Sequence, residues 1–194
     1  MNIILASGSP RRKEILENTN LKFSVITSDI DERIFENEEP IQLVLRLAFE
    51  KCMSVAQNNP SDLVIGADTI VVLDNEILGK PKNEEEAFNT LSKLSNREHQ
   101  VITGISIVNL ENEKKIVDYA ISNVKFKKLT DQDIKDYIST KECLDKAGSY
   151  GIQGYGALLV EEIKGDYFNI VGLPISKLSD ILKINFNINL FKEF

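Results

Sequence analysis

The 194-residue sequence has no tryptophan, one histidine (His99) and only two cysteines, Cys52 and Cys143. Each scarcity closes off a class of chemistry. The cysteines stand far apart with no CxxC spacing, so neither a disulfide scaffold nor a cysteine-rich zinc site is expected. A lone histidine excludes a multi-histidine metal centre. Basic residues are in the minority, 23 Lys and Arg against 30 Asp and Glu, for a net charge of −7. Nucleic-acid binding draws its affinity from many basic phosphate contacts, and single-strand binding from interleaved aromatics, so no nucleic-acid partner is expected. No apolar run approaches the roughly 18 residues of a membrane span. The apolar stretch Ile3–Ala6 is too short for a signal peptide and has no basic residue ahead of it. These absences lead to the expectation of a soluble, cytoplasmic protein with no membrane partner. What is present, 42% hydrophobic and 27% charged residues, is ordinary globular composition.

Periodicity and punctuation predict interleaved strands and helices, hence a mixed α/β fold, read as one domain over 1–194. Strands are expected at 3–6, 21–27, 63–73, 101–110, 114–127, 157–163 and 167–171. Helices are expected at 10–18, 41–57, from 83, from 130 and from 174. Ser9 before Pro10, Asn83 before three glutamates, and Thr130 with Asp133 are helix-start signals. Asp74-Asn75 reads as a tight hairpin turn. The apolar tail 186–194 could pack on its own subunit or across a dimer.

Several clusters could carry chemistry, each with a plainer alternative. Ser7-Gly8-Ser9-Pro10-Arg11-Arg12 joins a strand to a helix N-terminus, where free N–H groups and forked guanidinium donors suit phosphate; the alternative is an ordinary first turn. Arginines there oppose the helix dipole, so helix stability alone does not explain them. Asp29, Asp31 and Glu32 are oxygen ligands suited to a hard divalent cation, or simply a solvated acidic loop. Lys51 lies on the apolar stripe of its helix, either snorkelling to the rim or reaching an anion in a cleft. Asp68, within Gly66-Ala67-Asp68-Thr69, sits in a run apolar enough that burial demands a partner; the alternative is a strand end open to water. Gly79-Lys80-Pro81-Lys82 is a basic turn but not a P-loop. His99 lacks a nucleophile in context and is expected to be structural. In Asp145–Gly154 the glycines allow close backbone approach to a ligand or merely an irregular loop. Gln153 there offers donor and acceptor side by side, matching N3–H and O4 of uracil or thymine.

Together these blocks resemble the Maf family of nucleoside triphosphate pyrophosphatases essentially end to end. The carrying residues are Leu5-Ala6-Ser7-x-Ser9-Pro10-Arg11-Arg12, Gly66-Ala67-Asp68-Thr69-x-Val71, Gly79-Lys80-Pro81 and His99-x-Val101-x-Thr103-Gly104. Asp145-Lys146-Ala147-Gly148-x-Tyr150-Gly151-Ile152-Gln153-Gly154 and Gly165-Asp166-Tyr167-x-Asn169-x-Val171-Gly172-Leu173-Pro174 complete the set. The resemblance implies an elongated mixed sheet flanked by helices, two lobes around a central nucleotide-binding cleft, and often a homodimer. It implies hydrolysis of dTTP, UTP and modified pyrimidine triphosphates to monophosphate and pyrophosphate, with Mg or Mn as divalent cation. Asp68 then matches the proton acceptor, and Arg11, Thr69 and Gln153 match positions linked to base choice. Ser7, Arg11, Arg12, Lys51 and Lys80 would gather the phosphates, and Glu32, with Asp68, is the candidate metal ligand. The rival reading is a non-catalytic nucleotide-binding regulator of septum formation.

Overall fold

The computed structural model describes residues 1–192, so the end of the apolar tail lies outside the described residues. Its strands, β1 (Ile3–Leu5), β2 (Ser24–Val25), β3 (Leu63–Leu73), β4 (Glu76–Leu78), β5 (Glu98–Asn109), β6 (Lys114–Phe126) and β7 (Val160–Lys164), form one seven-stranded sheet. The order is β2-β1-β3-β5-β6-β7, with β4 paired to β3. β1 runs parallel to both β2 and β3, while β4 on β3 and β7 on β6 are antiparallel. The helices are α1 (Pro10–Glu17), α2 (Pro40–Ala56), α3 (Glu84–Leu94), α4 (Asp131–Ser139), α5 (Tyr167–Val171) and α6 (Ile175–Phe186). This is the mixed α/β architecture expected. The backbone groups into two compact units: Met1–Asp68, Thr103–Ala120 and the chain from Gly172 make the first, Thr69–Ile102 and Ile121–Val171 the second.

In the first unit, α2 buries Leu43, Val44, Leu47, Ala48, Cys52 and Val55. Cys52, Val55 and Ala56 meet Ile4, Ala6, Val64 and Val108 of the sheet in one apolar cluster. The helix can lie this low because two facing strand positions are glycine. A Cβ on Gly66 would stand 2.6 Å from the Ala48 carbonyl oxygen, and one on Gly104 would collide with the Val44 carbonyl. Burial also pushes the Cys52 thiol up to about 12, so it is an inert core group.

In the second unit, β3 turns into β4 through Asp74 and Asn75, both left-handed at φ 49° and 64°, the signature of a two-residue hairpin turn. Asn83 accepts the Glu86 N–H at 2.9 Å to start α3, and Thr130 and Asp133 form the capping box of α4. Three expectations need correction. Residues 167–171 are not a strand but the short helix α5. The Asp166 carboxylate accepts the Phe168 N–H at 2.8 Å, and buried Asn169 donates to the Val101 carbonyl and Ser122 Oγ. A five-residue apolar run carries no periodicity that separates helix from strand, so the polar anchors decide it. Residues 154–159 form a 3₁₀ turn, and the strand there begins only at Val160. The expected strand 21–27 shortens to Ser24–Val25.

Candidate functional site

Asp68 ends the first unit's share of β3 and is 6% exposed, so the alternative of a water-facing strand end is ruled out. Its partner comes from α2, which the two glycines seat against the sheet. Lys51 is 7% exposed and does not snorkel outward. Its ammonium donates to Asp68 Oδ1 at 2.6 Å and pairs with Glu32 Oε1 at 2.8 Å. One buried cation thus holds two carboxylates from segments distant in sequence. Such a pair persists only because each charge answers the other; removing one leaves an uncompensated charge in a poorly solvated place. Glu32 itself remains half-exposed, at the outer edge of the group.

The β1–α1 junction adds further cations in this unit. Ser9 caps α1 by accepting the Arg12 N–H at 3.4 Å, and Pro10 occupies the first helical position, as expected. The Arg12 guanidinium turns back across the junction. Its Nε donates to the Gly172 carbonyl at 2.7 Å and its Nη1 to Ser7 Oγ at 3.2 Å. Ser7 is buried, and its hydroxyl also accepts the Ser9 N–H at 3.2 Å. Burial lowers the Arg12 pKa from its ordinary value, the charge of Asp68 opposes this, the neighbouring Arg11 adds to it, and Glu32 opposes it. Arg12 and Lys51 thus both feel the Asp68 and Glu32 carboxylates, and Arg11 lies close enough to Arg12 for their charges to interact. Arg12 is better placed than the dipole argument allowed, because it ties α1 to the turn ahead of α6.

The expected metal ligand needs restating. Among the described residues no group of three or more His, Cys, Asp or Glu side chains converges as a metal site. Glu32 and Asp68 instead converge on Lys51 Nζ, while Asp31 pairs with Arg33 at 3.0 Å. Both carboxylates are oxygen donors of the kind a hard divalent cation takes, and each is paired with Lys51.

The other expected residues belong to the second unit. Thr69 follows Asp68 on β3 and is half-buried, and Lys80 is exposed in the turn after β4. Gln153 is half-buried, just ahead of the 3₁₀ turn 154–159. The loop that carries it is anchored at three points. Gly148 N–H donates to the Gly79 carbonyl at 3.2 Å, beside Lys80, and Gly151 N–H donates to the Tyr137 hydroxyl at 3.3 Å. The Tyr150 hydroxyl lies 2.8 Å from His99 Nε2. His99 is 2% exposed and stacks edge-on against both Phe126 and Tyr150. Burial lowers its pKa to about 4, so the imidazole is neutral and structural, as expected. Sequence reading passed over Asn169 as more than a motif letter, although a polar residue inside an apolar run was signal enough. It also passed over Arg46, which nothing in the local pattern distinguishes from an exposed helix residue.

Comparisons with known proteins complete the picture. The family model described as Maf-like protein matches residues 2–184. A protein of Clostridioides difficile (strain 630) called dTTP/UTP pyrophosphatase is 70% identical over 191 residues, 98% of each chain. Its namesake from Caldanaerobacter subterraneus subsp. tengcongensis is 52% identical over 189 residues, 97% of this chain and 91% of its own. Among solved structures, the Staphylococcus aureus Ham1 protein overlaps with a TM-score of 0.46 at 18% identity, over 65% of this chain and 72% of its own. A match that spans nearly the whole chain, with relatives this similar over the same length, makes this protein a member of the Maf family.

Proposed function

We propose that this protein hydrolyses dTTP, UTP and related pyrimidine triphosphates between the α and β phosphorus, releasing the nucleoside monophosphate and pyrophosphate. The observation that carries the reading is the buried Lys51 ammonium held by Asp68 and Glu32, with Arg12 within reach of both charges and Arg11 next to Arg12. The name borne by the 70%-identical relative supplies the substrate class. An acidic protein can hold a triphosphate only where cations are concentrated, and this is such a place.

In the resting protein Lys51 pairs with both carboxylates and offsets one of their two negative charges. Triphosphate oxygens compete for its ammonium and for Arg11, Arg12 and the N–H groups at the start of α1. Asp68, relieved of part of its pairing, orients a water and accepts its proton as the water oxygen bonds to the α phosphorus. The bond to the bridging oxygen breaks, and pyrophosphate leaves with that electron pair. Charge building on the phosphoryl oxygens is met by the same cations. Glu32 and Asp68 would hold a divalent cation, Mg or Mn, which supplies further charge neutralisation on the phosphates. For the base, the assignment rests on Gln153, whose amide can both accept from N3–H and donate to O4.

The test is product identification from dTTP, UTP, CTP, GTP and 7-methyl-GTP with Mg²⁺ or Mn²⁺. Monophosphate and pyrophosphate from dTTP and UTP support the reading. Diphosphate and orthophosphate, or silence from folded protein across the panel, contradict it.

A further inference from the structure

Glu32 lies in the longest irregular stretch of the described residues, 26–39 between β2 and α2, where a turn at 36–37 is the one regular feature. An unstructured connection of this length in a compact protein needs something to set its path. One end is fixed at the sheet, where Ile26 N–H donates to the Leu5 carbonyl at 3.1 Å. The other end runs into the Glu39–Gln42 capping box of α2, and the side chain of Arg46, one turn further on, grips the loop ahead of it. Arg46 Nε and Nη2 donate to the two oxygens of Glu38 at 2.6 and 2.8 Å, a forked pair in which the Glu38 side chain is only 8% exposed. The same Nη2 donates to the Arg33 carbonyl at 2.9 Å, adjacent to Glu32, and Nη1 donates to Glu50 at 3.0 Å. The guanidinium lies over the Phe35 ring, 4.3 Å from its centroid. Every one of these partners except Glu50 belongs to the loop.

α2 therefore carries two cations with linked tasks. Lys51 meets the carboxylate of Glu32, and Arg46 holds the backbone immediately after it. Lysine could not replace Arg46 here, because a point cation cannot form the fork and lie flat on a ring at once. We infer that Arg46 is a positioning residue: by clasping Glu38, the Arg33 carbonyl and the Phe35 ring, it sets the loop so that Glu32 reaches the Lys51–Asp68 pair. The inference rests on the reading that Glu32 works on the substrate phosphates. Displacing a working group by about 1 Å can cost on the order of 100-fold in rate, so a clasp outside the reacting centre can govern turnover.

The experiment compares Arg46→Gln, Arg46→Lys and Glu38→Gln in the full chain, each alone and combined with Glu32→Gln. Amide hydrogen exchange is read over residues 27–37 and, as a control, over α2; kcat and KM are read with dTTP. Arg46→Gln should speed exchange across the loop while α2 stays protected, and lower kcat by roughly 10-fold or more with a smaller change in KM. Arg46→Lys and Glu38→Gln should fall between it and wild type. None should lower the rate further in the Glu32→Gln background, because the clasp acts through that residue. A merely structural arginine would lower the melting temperature and leave kcat of the folded protein alone; that result, or a further loss of rate when Arg46→Gln is added to Glu32→Gln, overturns the inference. Should wild-type protein hydrolyse none of the nucleotides, the functional reading fails by itself. Loop exchange in Arg46→Gln equal to wild type overturns the clasp whatever the activity.

Discussion

Lowering the pH from 7 to 5 should destabilise the folded protein by about 2 kcal/mol through His99 alone. The imidazole is 2% exposed between Phe126 and Tyr150, and burial holds its pKa at about 4 against 6.5 when free. Among the described residues Nδ1 has no hydrogen-bond partner. The proton therefore has little to gain in the native state. The folded pKa is depressed, so the unfolded chain takes up the proton first as pH falls. Stability is intact above 6.5, declines through the window between 6.5 and 4, and levels off below it. Each pH unit inside the window costs about 1.36 kcal/mol, which gives about 2 kcal/mol by pH 5 and roughly 3 kcal/mol by pH 4. Because His99 is the only histidine, no other side chain of that type contributes. Urea unfolding at pH 7 and pH 5 measures the difference, with His99→Phe as the control whose stability should be flat over that interval. The single imidazole resonance can be titrated by NMR in the same samples. A midpoint near 6.5, or a pH slope that survives in His99→Phe, would refute the burial argument.

Three further outcomes follow from the same geometry. Gly66→Ala should cost about 1–3 kcal/mol in chemical denaturation, because its Cβ would press on the Ala48 carbonyl 2.6 Å away and lift α2 off the sheet. Lys51→Met should cost about 3–5 kcal/mol in the same denaturation by leaving the buried Asp68 without its cation. Gln153→Ala should change the preference for UTP and dTTP over CTP more than it changes the turnover number; an unchanged preference in competition assays removes Gln153 from base recognition.

Local signals were legible wherever a short-range rule acts alone. Ser9, Asn83 and Thr130 cap their helices as their side chains dictate, and Asp74-Asn75 turns because both tolerate left-handed backbone. Asp68 was legible as a buried carboxylate in need of a partner. Which partner it takes was not, since snorkelling and reaching inward look identical for Lys51 on a helical stripe. The glycines that seat α2 decide that question, and their effect is a contact across the fold. α5 escaped for the same reason: its helical turn depends on Asp166, Val101 and Ser122, the last two far away in sequence. Arg46 is the extreme case, meaningful only once the loop beside it is placed.

The central claim is that Asp68 promotes attack of water on the α phosphorus while Lys51 and Glu32 hold it in place. Asp68→Asn tests this most directly, because Lys51 keeps Glu32 as a partner at 2.8 Å and the fold should survive. The measurement is pyrophosphate release from dTTP by wild type and Asp68→Asn, at matched melting temperature. The account predicts a rate at least about 100-fold lower in the variant, the scale of a lost general base. A folded Asp68→Asn protein that turns over like wild type would contradict it.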